Sequence, residues 1–189
     1  MSKITERYEH WLTTWSDIQN HLPVFFSLAQ GNIVELGTRD GVSTSAFLAG
    51  VEERGGRVFS IDINPKCEKL FEQNGMWRFI CSDSADHQLP GKILRELASL
   101  GENYRDLKFI DILFIDTEHT FEQCSKELQL WKPYLRPGAK ILLHDTESFP
   151  EVLTAMRNFC TENNFGYDLF PGSNGLGQIE IPTQEDTPA

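Results

Sequence analysis

Short apolar runs alternate with amphipathic segments along most of this 189-residue chain. The runs are typical of strands buried on both faces of a sheet, and the segments, with apolar residues three and four positions apart, are typical of helices that cover it. The pattern predicts strands at 32–36, 57–61, 77–81, 111–115 and 140–143, and helices at 43–54, 65–74, 90–100, 120–131 and 150–163. We therefore predict an α/β fold whose parallel strands are joined by right-handed crossovers.

The first part of the chain departs from this alternation. Residues 3–20 repeat apolar side chains at helical spacing, and a shorter helix follows them. We interpret residues 1–30 as a helical segment packed on one flank of the core. The alternative is that this segment also forms the wall of a substrate pocket, built from Trp11, Trp15 and Phe26.

The last part of the chain predicts a β-hairpin. Residues 165–170 and 175–181 are β-like runs joined by the turn-rich sequence Pro171-Gly172-Ser173-Asn174. The hairpin would place one antiparallel strand among parallel neighbours. Residues 31–182 are then one domain, and 183–189 are predicted to be a flexible tail.

Charge and composition narrow the classes of function. The formal net charge of −11 disfavours a nucleic-acid binder, which needs a basic surface. Apolar runs fall short of the roughly 20 residues that span a bilayer, and the polar start of the chain has no signal core. The four cysteines are scattered without zinc spacing, as in reduced proteins. We expect a cytoplasmic protein with no membrane partner.

The most informative segment is Glu35-Leu36-Gly37-Thr38-Arg39-Asp40-Gly41. An apolar strand ends in a carboxylate, and two glycines lead into a helix. Glycine permits backbone angles and close approaches that a Cβ forbids, and a helix N-terminus favours phosphate-like or carboxylate groups. The sequence therefore predicts a ligand with a nucleotide-like body against this loop.

Acidic side chains follow nearly every predicted strand, where ligands of parallel sheets bind. Asp62 stands where a carboxylate accepts hydrogen bonds from the two hydroxyls of a ribose, and its alternative role is a helix N-cap. Asp83 or Ser84 could meet an adenine edge, again with capping as the alternative. The remaining strand ends carry Asp116, His144 and Asp145.

The glycine segment resembles the E/D-x-G-x-x-x-G signature of class I S-adenosylmethionine-dependent methyltransferases. Segments 114–122, 130–138, 143–146 and 175–177 are similar to a branch of small-molecule O-methyltransferases that includes rhamnosyl O-methyltransferases and cephalosporin hydroxylases. The resemblance covers about residues 31–181. It implies a Rossmann-like, doubly wound, mostly parallel seven-stranded sheet with a C-terminal antiparallel hairpin strand and helices on both faces. It also implies S-adenosylmethionine as cofactor, bound by Glu35, Gly37, Thr38, Asp40, Gly41, Asp62, Asp83 and Asp116.

The same resemblance implies a divalent metal held by Asp116 and by an acidic pair after the next strand. Here the first member of the pair is His144 and the second is Asp145. Because an imidazole suits Mg²⁺ less well than a carboxylate does, three alternatives stay open: Mg²⁺, a softer ion such as Mn²⁺, or no metal. The acceptor hydroxyl must also lose a proton. His119, one helical turn past Asp116, is the first candidate base, with a capping or Asp-bonded histidine as the alternative; His144 is the second.

The predicted function is O-methylation of a small-molecule hydroxyl on a sugar, a phenol or a natural product. One alternative is an inactive S-adenosylmethionine-binding or regulatory protein of the same fold, and a second subunit of a homo-oligomer could complete the pocket. A nicotinamide-dependent oxidoreductase is disfavoured, because Arg39 stands where that motif has its second glycine.

Overall fold

A computed structural model describes residues 1–101 and 107–183. The strands are β1 Gly31–Leu36, β2 Gly56–Asp62, β3 Trp77–Cys81, β4 Ile110–Ile115, β5 Leu135–His144, β6 Tyr167–Phe170 and β7 Leu176–Glu180. The helices are α1 Lys3–Thr13, α2 Leu22–Leu28, α3 Val42–Arg54, α4 Leu89–Ser99, α5 Phe121–Trp131 and α6 Pro150–Asn163. None of the helices in these ranges is both long enough and apolar enough to cross a membrane. All but the first residue of the predicted tail, 183–189, lies outside the described residues.

The strands form one sheet in the order β3-β2-β1-β4-β5-β7-β6. The first five strands of the chain are parallel, and β7 runs antiparallel to both β5 and β6. The predicted fold is confirmed, including its single antiparallel strand. The strand order reverses between β1 and β4, and a crevice at the carboxyl ends of such strands is the usual ligand site.

Two apolar clusters cover the two faces of the sheet. One is formed with α4, α5 and α6 and is centred on Trp131 and Phe109, which are fully buried. The other is formed with α1, α2 and α3, where Phe25, Phe47 and Phe114 pack their rings together. Three helices cover each face, so the sheet is doubly wound. A ligand can therefore reach the sheet through the crevice at the carboxyl ends of the strands.

Two predicted helices are shorter than expected. The first ends at Thr13, since Thr14 is extended and the chain turns to bury Ile18. Trp15 lies within the helix predicted over 3–20, where its spacing from Trp11 would place it on the packed apolar face, but it is 83% exposed, so this part of the prediction is wrong. The helix predicted over 65–74 is only the 3-10 turn Pro65–Lys69. Apolar spacing continues past both ends, but the first helix meets two β-branched threonines, Thr13 and Thr14, which disfavour a helix.

Candidate active site

The glycine loop packs directly on the end of the neighbouring strand. Gly37 has φ +89°, and a Cβ at this position would lie 1.8 Å from the carbonyl oxygen of Asp116. The N–H of Asp116 donates to the carbonyl of Leu36 at 2.8 Å. Gly41 has φ +72°, and its Cβ would lie 2.8 Å from the ring of Phe71. Both glycines of the motif therefore serve a backbone approach that a side chain would prevent.

Glu35 lies beneath this loop, fully buried. Its carboxylate accepts hydrogen bonds from the hydroxyls of Ser43 at 2.6 Å, Thr44 at 2.7 Å and Ser60, which in turn accepts from Trp77 Nε1 at 2.9 Å. Burial raises the pKa of Glu35 to about 7. The hydrogen bonds from the three hydroxyls act in the opposite direction, but their effect is smaller. Glu35 is not among the described residues that line the two cavities below. Its predicted contact with the methionine amino group stays a prediction.

Glu35→Gln is expected to change how stability depends on pH. The folded-state pKa of about 7 lies above the ordinary value of 4.5, so the carboxyl stabilises the fold fully below pH 4.5 and loses this contribution as the pH rises to about 7. The amide does not titrate. The stability of the variant relative to wild type should therefore rise by up to about 3 kcal/mol across this window.

Denaturant unfolding of both proteins between these pH values measures this change. Parallel stability curves for the two proteins would show that Glu35 titrates normally and would contradict the prediction.

The first cavity, of about 390 Å³, lies at the carboxyl ends of β1 to β4. Asp62 Oδ2 accepts from the backbone N–H groups of Thr38 at 2.9 Å and Arg39 at 3.0 Å, and Oδ1 accepts from that of Asn64 at 2.8 Å. The N-cap of the following 3-10 turn is Asn64, whose side chain accepts from Lys66. Asp62 thus holds the glycine loop in place and faces the cavity. The N-cap role, which was the alternative for Asp62, belongs to Asn64.

Hydroxyl and amide groups form the opposite side of this cavity. Asp83 and Ser84 line it, together with Thr117 and Gln123, which the sequence did not indicate, and the contact of Asp83 or Ser84 with an adenine edge stays a prediction. The buried carboxylate of Glu127 accepts from Ser84, from Thr117 at 2.8 Å and from Gln123 at 3.1 Å. Burial raises the pKa of Glu127. This carboxylate therefore orients three polar side chains around the space.

The second cavity, of about 270 Å³, adjoins the first and shares Gly37 and Asp116 with it. The glycine loop lines it through Thr38, Asp40 and Ser43, and the cluster beside it contributes Asp116, His119 and Asp145. The N-terminal segment supplies Trp11 and Trp15, as in the pocket-wall alternative, whereas Phe26 stacks on Tyr8 with the ring centroids 5.0 Å apart.

An Asp-His cluster joins the ends of β4 and β5. His144 Nδ1 lies 3.3 Å from Asp116 Oδ1 and 3.2 Å from Asp145 Oδ2, and its Nε2 lies 2.8 Å from the carbonyl oxygen of Ser173. His119 Nε2 lies 2.6 Å from Asp145 Oδ2 and 3.7 Å from Asp116 Oδ1. The structure therefore brings together all four residues that the sequence singled out at these strand ends.

The charges in this cluster compensate one another. Contacts with Asp116 and Asp145 raise the pKa of His119 to about 9. Burial lowers the pKa of His144, but its bonds to the same two carboxylates outweigh burial and raise it to about 10. Burial likewise raises the pKa of Asp145, and the two histidines more than reverse this effect. His119 thus holds its proton at neutral pH, in the Asp-bonded state that the sequence left open.

The donor set fits a divalent cation. A carbonyl oxygen can only accept, so the bond to Ser173 keeps a proton on His144 Nε2, and a bound cation would replace the Nδ1 proton that faces the two carboxylates. One ligand atom each from Asp116, His144 and Asp145 lie within 4.8 Å of one another. Asp145 Oδ1 is buried without a hydrogen-bond partner among the described residues. One imidazole nitrogen and two carboxylates suit Mn²⁺ or Mg²⁺.

The fold and the glycine loop define a class I methyltransferase: a seven-stranded sheet with one antiparallel strand near its C-terminal edge, and a nucleoside-sized cavity beyond β1 and β2. A family model described as a methyltransferase domain matches residues 34–146, more than half of the chain. The chain belongs to this methyltransferase domain family and is a class I S-adenosylmethionine-dependent methyltransferase, as the resemblance implied. No curated protein sequence matches it.

Solved structures share the fold at low sequence identity. A Corynebacterium glutamicum protein aligns with a TM-score of 0.68 and 13% identity over 99% of this chain and 93% of its own. A TDP-rhamnose 3'-O-methyltransferase of calicheamicin biosynthesis aligns with a TM-score of 0.58 and 18% identity over 94% and 93%. MycE, a methyltransferase of mycinamycin biosynthesis in complex with Mg, SAH and mycinamycin VI, aligns with a TM-score of 0.66 and 16% identity over 100% and 57%.

Proposed function

We propose that this protein transfers the methyl group of S-adenosylmethionine to a hydroxyl oxygen of a small molecule. The observation that carries the proposal is that the two cavities meet at Gly37 and Asp116, with the Asp-His cluster on the wall of the second. In-line transfer needs the donor and the acceptor to be held face to face, and alignment of this kind supplies much of the rate. The structural relatives with TDP-rhamnose and mycinamycin in their names support a small-molecule acceptor.

The first cavity would hold the nucleoside end of the cofactor. Asp62 accepts from the ribose hydroxyls, and Asp83 with Ser84 meets the adenine edge. The methionine end would then lie over the glycine loop, against Thr38 and Asp40. In this arrangement the sulfonium methyl group points from the junction of the cavities toward the Asp-His cluster.

The cluster would prepare the acceptor oxygen. A divalent ion held by Asp116, His144 and Asp145, of the kind named with MycE, would stabilise the acceptor as an alkoxide. His119 Nε2 lies beside Asp145, and the deprotonated form of His119, which is the minor form at neutral pH, would accept the proton that leaves the hydroxyl. The acceptor oxygen forms its bond to the methyl carbon while the carbon–sulfur bond breaks, and the sulfur keeps the electron pair. The walls of the cavity exclude competing water.

Calorimetry with S-adenosylhomocysteine and an assay of its release from S-adenosylmethionine test the proposal. We expect S-adenosylhomocysteine to bind and its release from S-adenosylmethionine to require an acceptor. The rate of release should fall when EDTA is added and recover when Mn²⁺ is supplied. Binding of NAD in place of S-adenosylhomocysteine would overturn the proposal. Binding without release in any acceptor mixture would favour the inactive binding protein, and light scattering reports whether a homo-oligomer forms.

Asp62→Asn is expected to weaken S-adenosylhomocysteine binding about 10- to 100-fold, because an amide can no longer accept from both ribose hydroxyls and two loop N–H groups. The 2',3'-dideoxy analogue of S-adenosylhomocysteine should bind the wild-type protein weakly. Its affinity should fall little further in the variant, because the analogue and the variant lose the same contacts. Calorimetry measures all four combinations.

Glu68→Gln, at an exposed carboxylate of the following turn, is the matched control. If the losses of binding free energy from Asp62→Asn and from removal of the two ribose hydroxyls add up, Asp62 does not contact the ribose.

A further inference from the structure

Unpartnered polar atoms converge on the second cavity. Within the described residues, five buried side-chain atoms make no hydrogen bond of acceptable geometry, and all five belong to residues that line this cavity: Trp11 Nε1, Ser16 Oγ, Thr38 Oγ1, Asp145 Oδ1 and His119 Nε2, the last of which still forms an ion pair with Asp145. Buried polar groups of native proteins are almost always paired, with protein, water or ligand. Their convergence indicates that the cavity takes a ligand rich in hydrogen-bonding groups.

Two of these atoms, Trp11 Nε1 and Ser16 Oγ, have no role in the proposed methyl transfer. Thr38 belongs to the glycine loop and faces the cofactor, and His119 with Asp145 belongs to the Asp-His cluster. Trp11 and Ser16 lie on a wall that the N-terminal segment contributes. An indole N–H only donates, and a hydroxyl both donates and accepts, so this wall offers hydrogen bonds to the oxygens of a third molecule.

The charge around the cavity argues against an anionic molecule. The carboxylates of Asp17, Asp40, Asp116 and Asp145 line it. Arg39 is the sole arginine or lysine among the described residues of this wall, and it pairs with Asp17 at 2.9 Å. A diphosphate or another anionic group would meet this negative charge, and both cationic side chains of the wall are already paired, Arg39 with Asp17 and the His119 imidazolium with Asp145. The acceptor should therefore differ in charge from TDP-rhamnose, which the name of one structural relative contains.

We propose that the second cavity binds the methyl acceptor, and that this acceptor is an uncharged polyhydroxylated ring, such as a glycoside without phosphate. Trp11 Nε1 and Ser16 Oγ bind its oxygens, and the exposed indole of Trp15 offers a flat apolar surface to the C–H face of the ring. A planar phenol has fewer hydroxyls and would leave some of these groups unpaired. The inference rests on the proposed function, because it names the acceptor of that reaction.

Competition between acceptors tests the inference. Labelled S-adenosylmethionine with Mn²⁺ is offered to a set of neutral methyl glycosides that includes methyl α-L-rhamnoside, and separately to TDP-rhamnose and to catechol. We expect a glycoside to have a kcat/KM at least about 10-fold above the other two.

A preference for TDP-rhamnose or catechol would overturn the inference, and so would transfer to either of them without transfer to any glycoside. Failure to bind S-adenosylhomocysteine would instead count against the proposed function.

Trp11→Phe and Ser16→Ala separate acceptor binding from cofactor binding. Each keeps the shape of the wall and removes one hydrogen-bonding group, so KM for the glycoside should rise about 10-fold with kcat and S-adenosylhomocysteine affinity unchanged. Thr13→Ala, at an exposed position of the same helix, is the control. An unchanged KM, or an equal loss of cofactor affinity, would show that these two residues do not bind the acceptor.

Discussion

Asp145→Asn is expected to lower methyl transfer at least about 100-fold while S-adenosylhomocysteine binding stays within a few-fold of wild type. Asp145 adopts φ +65°, a conformation that asparagine tolerates as well as aspartate, and the two side chains have the same shape. The substitution therefore removes the negative charge that faces His119 and His144 with little effect on the backbone. A neutral amide can neither compensate a histidinium nor hold a divalent ion as a carboxylate does.

Initial rates at saturating S-adenosylmethionine measure the loss, calorimetry measures cofactor affinity, and the electron paramagnetic resonance of added Mn²⁺ measures metal binding. Asp168→Asn, at an exposed carboxylate on β6, should leave all three unchanged. A variant with normal turnover would remove Asp145 from the reaction. Equal losses of turnover and cofactor affinity would place this residue in the cofactor site instead.

Gly37→Ala is expected to lower the free energy of unfolding by about 3 kcal/mol or more. A Cβ would lie 1.8 Å from the carbonyl oxygen of Asp116, and backbone at the end of a buried strand cannot move aside as a side chain can. Alanine is also strained at φ +89°. Relief requires β1 and β4 to separate where the two cavities meet, so S-adenosylhomocysteine binding should be lost as well.

Urea unfolding and calorimetry measure the two effects. Gly75→Ala is the matched control, because a Cβ at this glycine meets open space, and its stability should stay within about 0.5 kcal/mol of wild type. Equal stabilities for the two variants would show that β1 and β4 do not approach each other at Gly37 as closely as described.

The sheet and the Asp-His cluster were predictable from the sequence for one physical reason. Parallel strands end at the same edge, so residues that follow different strands must meet there although they are far apart in the chain. Asp116, His144 and Asp145 were found in this way. The predicted strand 77–81 coincides with β3, because Trp77–Cys81 is apolar at every position except Arg78 and is bounded by turn residues.

Contacts across the fold were not predictable in the same way. The sequence predicted a cofactor contact for Glu35, which stays a prediction, but it did not indicate the hydrogen bond beneath the loop with Ser60, the partner of Glu35 in register on β2. The N–H of Trp11 and the hydroxyl of Ser16 reach the cavity because the first helix stops at Thr13. Apolar spacing does not show this end, since the burial of Ile18 continues the pattern after the chain has left the helix.

The turn between β6 and β7 has a consequence for redesign. The family match ends at residue 146, yet the carbonyl that fixes the tautomer of His144 belongs to Ser173, which stands at φ +46° in that turn. The smallest functional unit therefore extends beyond the matched segment, and a chimera with a hairpin from a relative would inherit a different partner for this imidazole. Groups that bind the second nitrogen of a histidine tune its basicity. The hairpin is thus a part that could be exchanged to adjust the chemistry of the cluster while every side chain in contact with the substrates is kept.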